Sequence, residues 1–442
     1  MRNLLIIVGT PAHTPPLPLE HTLRFRDDQA RAVQLGSDYQ HLPVVRFVAD
    51  TALREGAPVT TVDLHNILQG LLTNFPDAFG PRDEERFRAY AHGRRLIERL
   101  LFNSADTVNL TDEEREEFRI AEDENSEATE YAVGLMMRLR FPAILCITTS
   151  SLLKSTRPGG LFHELLASCK IIIGDEASQI PEPAFAAMIS RFPSARHIYI
   201  VGAHQLAPHL RCSASSLPAR LGARGVMDIL LDRDVPLAPL VTTFRANPSL
   251  NSLPNRLVYN GTLVSGTRAS DRALLVRRIT LPNPRIPFVL VNVSGSSRLS
   301  ASQSHSNEEE ARCCVDLVRA LLAKGIAASG IAIITYYKDQ QRLLQSEARR
   351  LGVALHTVDT VQGREMDIVI ILTTRSDVDA STGEFLNDRR RLNVAITRCR
   401  HGEFVLGNLR ALQTLSNWSR VIQWARENDV IVNDSTLPDL FA

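Results

Sequence analysis

The 442 residues carry 44% apolar and 22% charged residues, an ordinary balance for folded globular protein and enough length for two or three domains. The formal net charge of +1 excludes a global basic field and leaves only a local basic groove open to nucleic acid. The six cysteines form no C-x-x-C pair, which argues against a zinc site, and no apolar run reaches membrane-spanning length. Reduced core thiols and a cytoplasmic or nuclear chain with no membrane partner are therefore expected. Arginine carries nearly all the positive charge: the first lysine is Lys154, followed only by Lys170, Lys324 and Lys338.

In chain order, residues 1–22 hold Pro11, Pro15, Pro16 and Pro18 and read as an irregular lead-in that begins with the short apolar run Leu4–Val8. Residues 26–35 read as a short helix. Residues 84–138 have apolar positions at helical spacing around an acidic run from Asp112 to Glu127, which predicts a helical insertion with a solvated loop. A repeated order of buried strand, loop and helix comes next. Its apolar runs are 143–147, 171–174, 197–201, 288–293, 331–335 and 368–373, rich in Ile and Val and largely without alternation, as in parallel strands covered on both faces. Helices are expected over 307–324 and 339–351. The pattern occurs twice and predicts two α/β domains with parallel sheets, divided near Pro236 and Pro239.

Five segments carry the chemistry. IIIGDEASQ (171–179) ends a strand on Asp175 and Glu176, where one carboxylate can enter a magnesium shell and the other can orient water. IYIVGAHQLAP (198–208) ends another strand on a loop with Gln205. TFRANP (243–248) offers Arg245 for phosphate and Phe244 for stacking on a base. VDTVQGREMDIVIIL (358–372) sets a polar turn, Gln362 to Glu365, between two strands; Gly363 allows close backbone approach and Glu365 can accept from a ribose hydroxyl. DRRRLNVAITRCR (388–400) reads as a helix with arginines at its start and two at its end, of which Arg398 best suits a charge placed on phosphate. Taken singly, each segment also reads as a structural turn or a solvated face; five in one order do not.

From His41 to Val432 this order resembles the superfamily-1B RNA/DNA helicases, in the group that includes the nonsense-mediated-decay helicase. DEAS (175–178) is similar to the family's motif II, GAHQLAP (202–208) to motif III and TFRANP to motif IV; VDTVQGRE (358–365) and RLNVAITR (391–398) are similar to motifs V and VI and are the most specific. Weaker likenesses are CITTSS (146–151), SNEEEA (306–311) and ITYYKDQ (334–340). The resemblance implies two RecA-like domains of the phosphate-loop NTPase type: a partial first domain over 41–238, a second over 239–432, a lead-in over 1–40 and a tail over 433–442. It implies ATP with Mg2+ between the domains and single-stranded RNA or DNA across them. Asp175 would then hold magnesium, Glu176 activate water and Gln205 sense the γ-phosphate. Arg245 and Arg398 would contact phosphate. Gln29, Phe244, Glu310, Gly363, Arg364 and Glu365 would contact the nucleotide, and Thr148, Thr149, Ser150, Thr335, Tyr337 and Thr360 the nucleic acid.

The family also requires G-x-x-G-x-G-K-T ahead of motif II, and no lysine precedes Lys154. VGTPAHTPP (8–16) lacks a second glycine and a lysine and is read as unrelated to that loop. FRDDQARAV (25–33) is similar to the adenine-reading motif, and HLPVVRFVAD (41–50) to a segment that lies beyond the loop. Only Gln34–Gln40 lie between them, so a block of residues is expected to be missing there, as a skipped exon or an incomplete gene model would leave. The first sheet should then lack a central strand. Motif III has Ala203 where aspartate is usual, and motif IV has Thr243 where glutamine is usual. The expected activity is an ATP-dependent helicase or translocase, impaired or inactive in this chain. The rivals are a pseudo-helicase that binds nucleic acid without hydrolysis and a protein scaffold.

Overall fold

The computed structural model describes residues 5–9, 44–50, 53, 59–75, 79–102, 127–138, 142–202, 204–208, 216–217, 224–233, 235–379 and 381–442. Gln29, the helix expected over 26–35 and nearly all of the acidic run lie outside them. Two compact units divide the chain, residues 1–202 with 207–233 and residues 203–206 with 234–442. The division falls a few residues before the prolines read as the boundary, and it places Gln205 with the second unit.

The first unit is built on a five-stranded parallel sheet of β1 (Leu5–Gly9), β2 (Val44–Arg46), β3 (Ile144–Thr148), β4 (Ile171–Gly174) and β5 (Arg196–Tyr199), in the order β2-β3-β1-β4-β5. The structure corrects two expectations here. Leu5–Gly9 is not lead-in, and the sheet does not lack its central strand: β1 fills the middle, with Gly9 opposite Thr148 on one side and Val8 opposite Gly174 on the other. A run of five residues from Leu5 is long enough for a strand, and parallel pairing on both sides satisfies its backbone groups. Burial along β3 and β4 alternates, with Leu145, Ile147 and Ile172 fully enclosed and their neighbours only partly so. The expected helical insertion appears as α1 (Pro81–Phe102) and a helix over 127–138. Proline at the first position and Asp83 and Glu84 in the first turn suit the start of α1. Phe87, Tyr90, Val133 and Met136 join Leu145 and Ile172 in one core.

The second unit holds a six-stranded parallel sheet of β6 (Phe288–Asn292), β7 (Ile331–Thr335), β8 (Ala354–Thr357), β9 (Met366–Leu372), β10 (Cys399–Gly407) and β11 (Ile431–Asn433), in the order β8-β7-β9-β10-β6-β11. The unbroken apolar runs are explained by two cores. Leu290, Ile334, Val369, Ile371 and Val405 enter one, and Val289, Val291, Ile333, Ile370, Phe404 and Leu406 enter the other. α2 (Glu308–Ala323) and α3 (Lys338–Leu351) supply Leu317, Leu321, Leu344 and Ala348 to the second core; α4 (Arg389–Ile396) and α5 (Ser416–Glu427) supply Leu392, Trp418 and Trp424 to the first. The segment 388–400 is not one helix. α4 ends at Ile396 and β10 begins at Cys399, so Arg398 lies in the joint and Arg400 on the strand.

Candidate functional site

In the first unit, β4 delivers Asp175 to the carboxyl end of the sheet. Gly174 is required just before it, because a Cβ there would stand 2.6 Å from the Tyr199 ring. Burial, then the neighbouring Glu176 charge, raise the Asp175 carboxyl to about 6, while a bond from the Glu176 N–H (3.0 Å) acts the other way. Glu176 has φ 49° and ψ 37°, left-handed backbone that costs a non-glycine residue free energy. Among the described residues no group of three His, Cys, Asp or Glu could hold a metal. A magnesium ion at Asp175 and Glu176 would therefore take the rest of its shell from phosphate and water. Gly9 ends β1 beside Thr148, with Val8 opposite Gly174. That is the place from which a loop could reach a phosphate next to Asp175. Val8 and Gly9, which open VGTPAHTPP, thus end the strand next to the Asp175 strand, a placement the sequence reading did not foresee; residues 10–16 lie outside the described residues.

The nucleic-acid candidates of the first unit are divided. Thr148 caps the short helix Thr149–Ser155, its hydroxyl accepting from the Ser151 N–H at 3.2 Å and donating to Ser151 Oγ at 2.9 Å. Thr149 is buried and Ser150 is exposed.

In the second unit, Glu365 immediately precedes β9 and is gripped from both sides. Arg245 Nε donates to Oε2 at 2.8 Å and Arg400 Nε to Oε1 at 3.0 Å, and Arg245 Nη1 also donates to the Thr397 carbonyl at 2.9 Å. Burial pushes the Glu365 carboxyl up, but the guanidinia, Arg245 first and then Arg400, bring it down to about 2. The sequence pointed Arg245 at phosphate and Glu365 at ribose; in this structure each answers the other, and Arg400, which the motifs did not single out, completes the clamp. Arg398 is buried, and its Nε donates to the Val394 carbonyl at 2.9 Å and its Nη2 to Thr397 Oγ1 at 2.9 Å. Gly363 has φ 77°, which suits glycine at this turn. The Phe244 ring is 66% exposed and lies against Gly266, where a Cβ would meet it at 2.3 Å. Gln205 is next to His204, whose carbonyl accepts from Asn393 Nδ2 at 3.0 Å and whose ring meets Tyr259 edge-on.

Other candidates lie inside the fold. Glu310 is 1% exposed and accepts from the Thr373 and Thr374 N–H groups at 3.1 and 2.8 Å and from Gln340 Nε2 at 3.2 Å. Its carboxylate ties α2 to the end of β9 instead of standing at a surface where a nucleotide could reach it. Thr335 is enclosed, its hydroxyl accepting from the Tyr337 N–H at 3.2 Å. Tyr337 is held edge-on to His305, with Phe385 tilted beside it. Thr360 closes a turn, accepting from the Thr357 N–H at 3.0 Å.

A profile of the AAA domain family matches residues 223–410. The regulator of nonsense transcripts 1 of Dictyostelium discoideum is 28% identical over 423 residues, covering 89% of this chain and 27% of that protein. The ATP-dependent helicase upf1 of Schizosaccharomyces pombe is 32% identical over 285 residues, 61% of this chain and 30% of that protein. The ATP-dependent helicase NAM7 of Saccharomyces cerevisiae is 29% identical over 286 residues, 61% of this chain and 28% of that protein. The chain spans under a third of the length of these relatives. Over 61–89% of its length the chain is thus similar to regulators of nonsense transcripts and ATP-dependent helicases.

Proposed function

We propose that this chain binds single-stranded RNA or DNA as a helicase-type module and turns over ATP weakly or not at all. One observation carries the second half. β1 ends beside the Asp175 strand, but Gly9 is succeeded by Thr-Pro-Ala-His-Thr-Pro-Pro. A phosphate loop works through successive backbone N–H groups and a lysine. Pro11, Pro15 and Pro16 have no N–H to give, and no lysine stands anywhere before Lys154. Each phosphate contact removed forfeits a charge-assisted bond of roughly 1.5–3 kcal/mol, so several together amount to about a thousandfold or more in affinity or rate. Asp175 and Glu176 would then face phosphate with two negative charges and little to offset them.

Nucleic-acid binding is supported by the family and by the exposed Phe244 and the arginines that flank it in the second unit. Binding of a single-stranded oligonucleotide to the full chain, measured across salt concentrations, tests it. Affinity should fall steeply with salt. Absence of binding at low salt would leave the scaffold reading in its place.

A further inference from the structure

β8 is an edge strand of the second sheet: among the described residues it pairs only with β7. It runs back beside α3 because Gly352 turns the chain with φ 70°, its N–H and that of Val353 donating to the Arg349 and Ala348 carbonyls at 3.2 and 3.0 Å. Backbone groups alternate in direction along a strand. The Val358 N–H donates to the Thr335 carbonyl at 3.0 Å, so Ala354 and His356 also face β7, while Leu355 and Thr357 face outward. Thr357 is closed off: its N–H donates to Thr360 Oγ1 at 3.0 Å and its carbonyl accepts from the Thr360 and Val361 N–H groups at 3.0 and 3.1 Å. The Leu355 carbonyl meets Gln341 Nε2 at a stretched 3.5 Å.

A groove of about 290 Å³ lies between this edge and α3. Ala348 and Val353, both buried, and the half-buried Leu355 are its apolar part, and the exposed Arg342 and Arg349 supply its charge. No carboxylate lines it. Arg342 is 2.6 Å from Asp339, but Arg349 has no ion pair among the described residues. Pockets that enclose a ligand measure about 300–1,000 Å³, so this one suits one side chain of a segment lying across it. No aromatic ring lines it, so it offers bases no stacking platform. A second copy of the same edge would bring arginine against arginine.

We propose that β8 is the docking edge for an extended acidic peptide of a partner protein. The peptide adds as a strand beside Leu355, sets an aliphatic side chain on Ala348, Val353 and Leu355, and places carboxylates at Arg342 and Arg349. The two arginines are two helical turns apart, about 10 Å. In an extended peptide, side chains four residues apart face the same way at about 13 Å, a gap that long side chains close, with one more facing side chain between them. The pattern recognised is therefore Glu-x-Val-x-Glu.

The probe is a fluorescent peptide carrying Glu-Thr-Val-Thr-Glu, titrated into the full chain, beside a peptide with lysine for both glutamates. The acidic peptide should bind and the lysine peptide should not. Arg349→Ala should weaken binding about two- to fivefold. Arg342→Glu combined with Arg349→Glu should reverse the preference, so that the lysine peptide binds better; a gain of binding cannot come from an unfolded chain. At saturating acidic peptide, exchange of the Leu355 amide hydrogen should slow by about tenfold or more, which side-chain contact alone would not produce. No saturable binding of the acidic peptide, a preference that the double reversal leaves unchanged, or an unprotected Leu355 amide overturns the proposal. Displacement of the peptide by a single-stranded oligonucleotide would make the groove a nucleic-acid site and overturn it as well.

Discussion

Replacing Glu365 with glutamine removes the charge that, among the described residues, Arg245 and Arg400 share. The carboxyl moves from its ordinary 4.5 to about 2 in the folded chain. At about 1.4 kcal/mol for each tenfold change in proton affinity, this corresponds to about 3 kcal/mol of stabilisation at neutral pH. The side chains of Glu365, Arg245 and Arg400 are 18%, 30% and 26% exposed, so solvent screens the cluster only in part. A depressed carboxyl gives stability that is fully present above 4.5 and is lost as pH falls towards 2. Urea unfolding of the full chain and of Glu365→Gln should therefore differ by about 3 kcal/mol at pH 7, and the gap should close as pH is lowered through that window. A gap under about 0.5 kcal/mol at pH 7, the level of an ordinary surface change, would show that the clamp is not the stabilising unit the geometry makes it. A gap that persists unchanged at low pH would do the same.

Glu176→Gly should raise stability by about 1 kcal/mol, because glycine adopts the left-handed backbone at 176 freely; a lower unfolding midpoint would contradict the strain reading. Glu403 is buried on β10, where Cys399 Sγ–H donates to Oε2 at 3.2 Å and Oε1 has no partner, and burial raises its carboxyl to about 8. A raised carboxyl gives stability that is complete below its unfolded value of 4.5 and is lost as pH rises to about 8. Stability should therefore decline with pH across that range, and Glu403→Gln should flatten part of the decline in a pH series of unfolding curves. An unaltered slope would place the titration elsewhere. Gly174→Ala should cost about 1–3 kcal/mol by driving the Tyr199 ring off its seat; a neutral outcome in thermal unfolding would mean that the ring shifts freely.

The second sheet was largely legible because its strands are buried on both faces and so are apolar without interruption, as over 331–335 and 368–372. β8 and β10 carry no such mark, because Ala354–Thr357 has His356 in its middle and Cys399–Gly407 opens with Arg400, His401 and Glu403. Arg400 and His401 meet Glu365 and Asp367, partners that no local pattern records. β1 is visible as an apolar run, but its place between β3 and β4 depends on pairing across more than a hundred residues. Motifs point to candidate residues and not to their partners. Nothing in the spacing of Arg245, Glu365 and Arg400 says that they meet, and Glu310 and Thr335 carry no mark of full burial.

The most direct test of the account is ATP turnover by the purified full chain, with and without single-stranded RNA, beside Glu176→Gln. The account predicts turnover no higher than in the Glu176→Gln chain, under conditions in which RNA still binds. Turnover that RNA stimulates and that Glu176→Gln abolishes would contradict it, and would mean that some other segment does the work of the lysine-bearing loop.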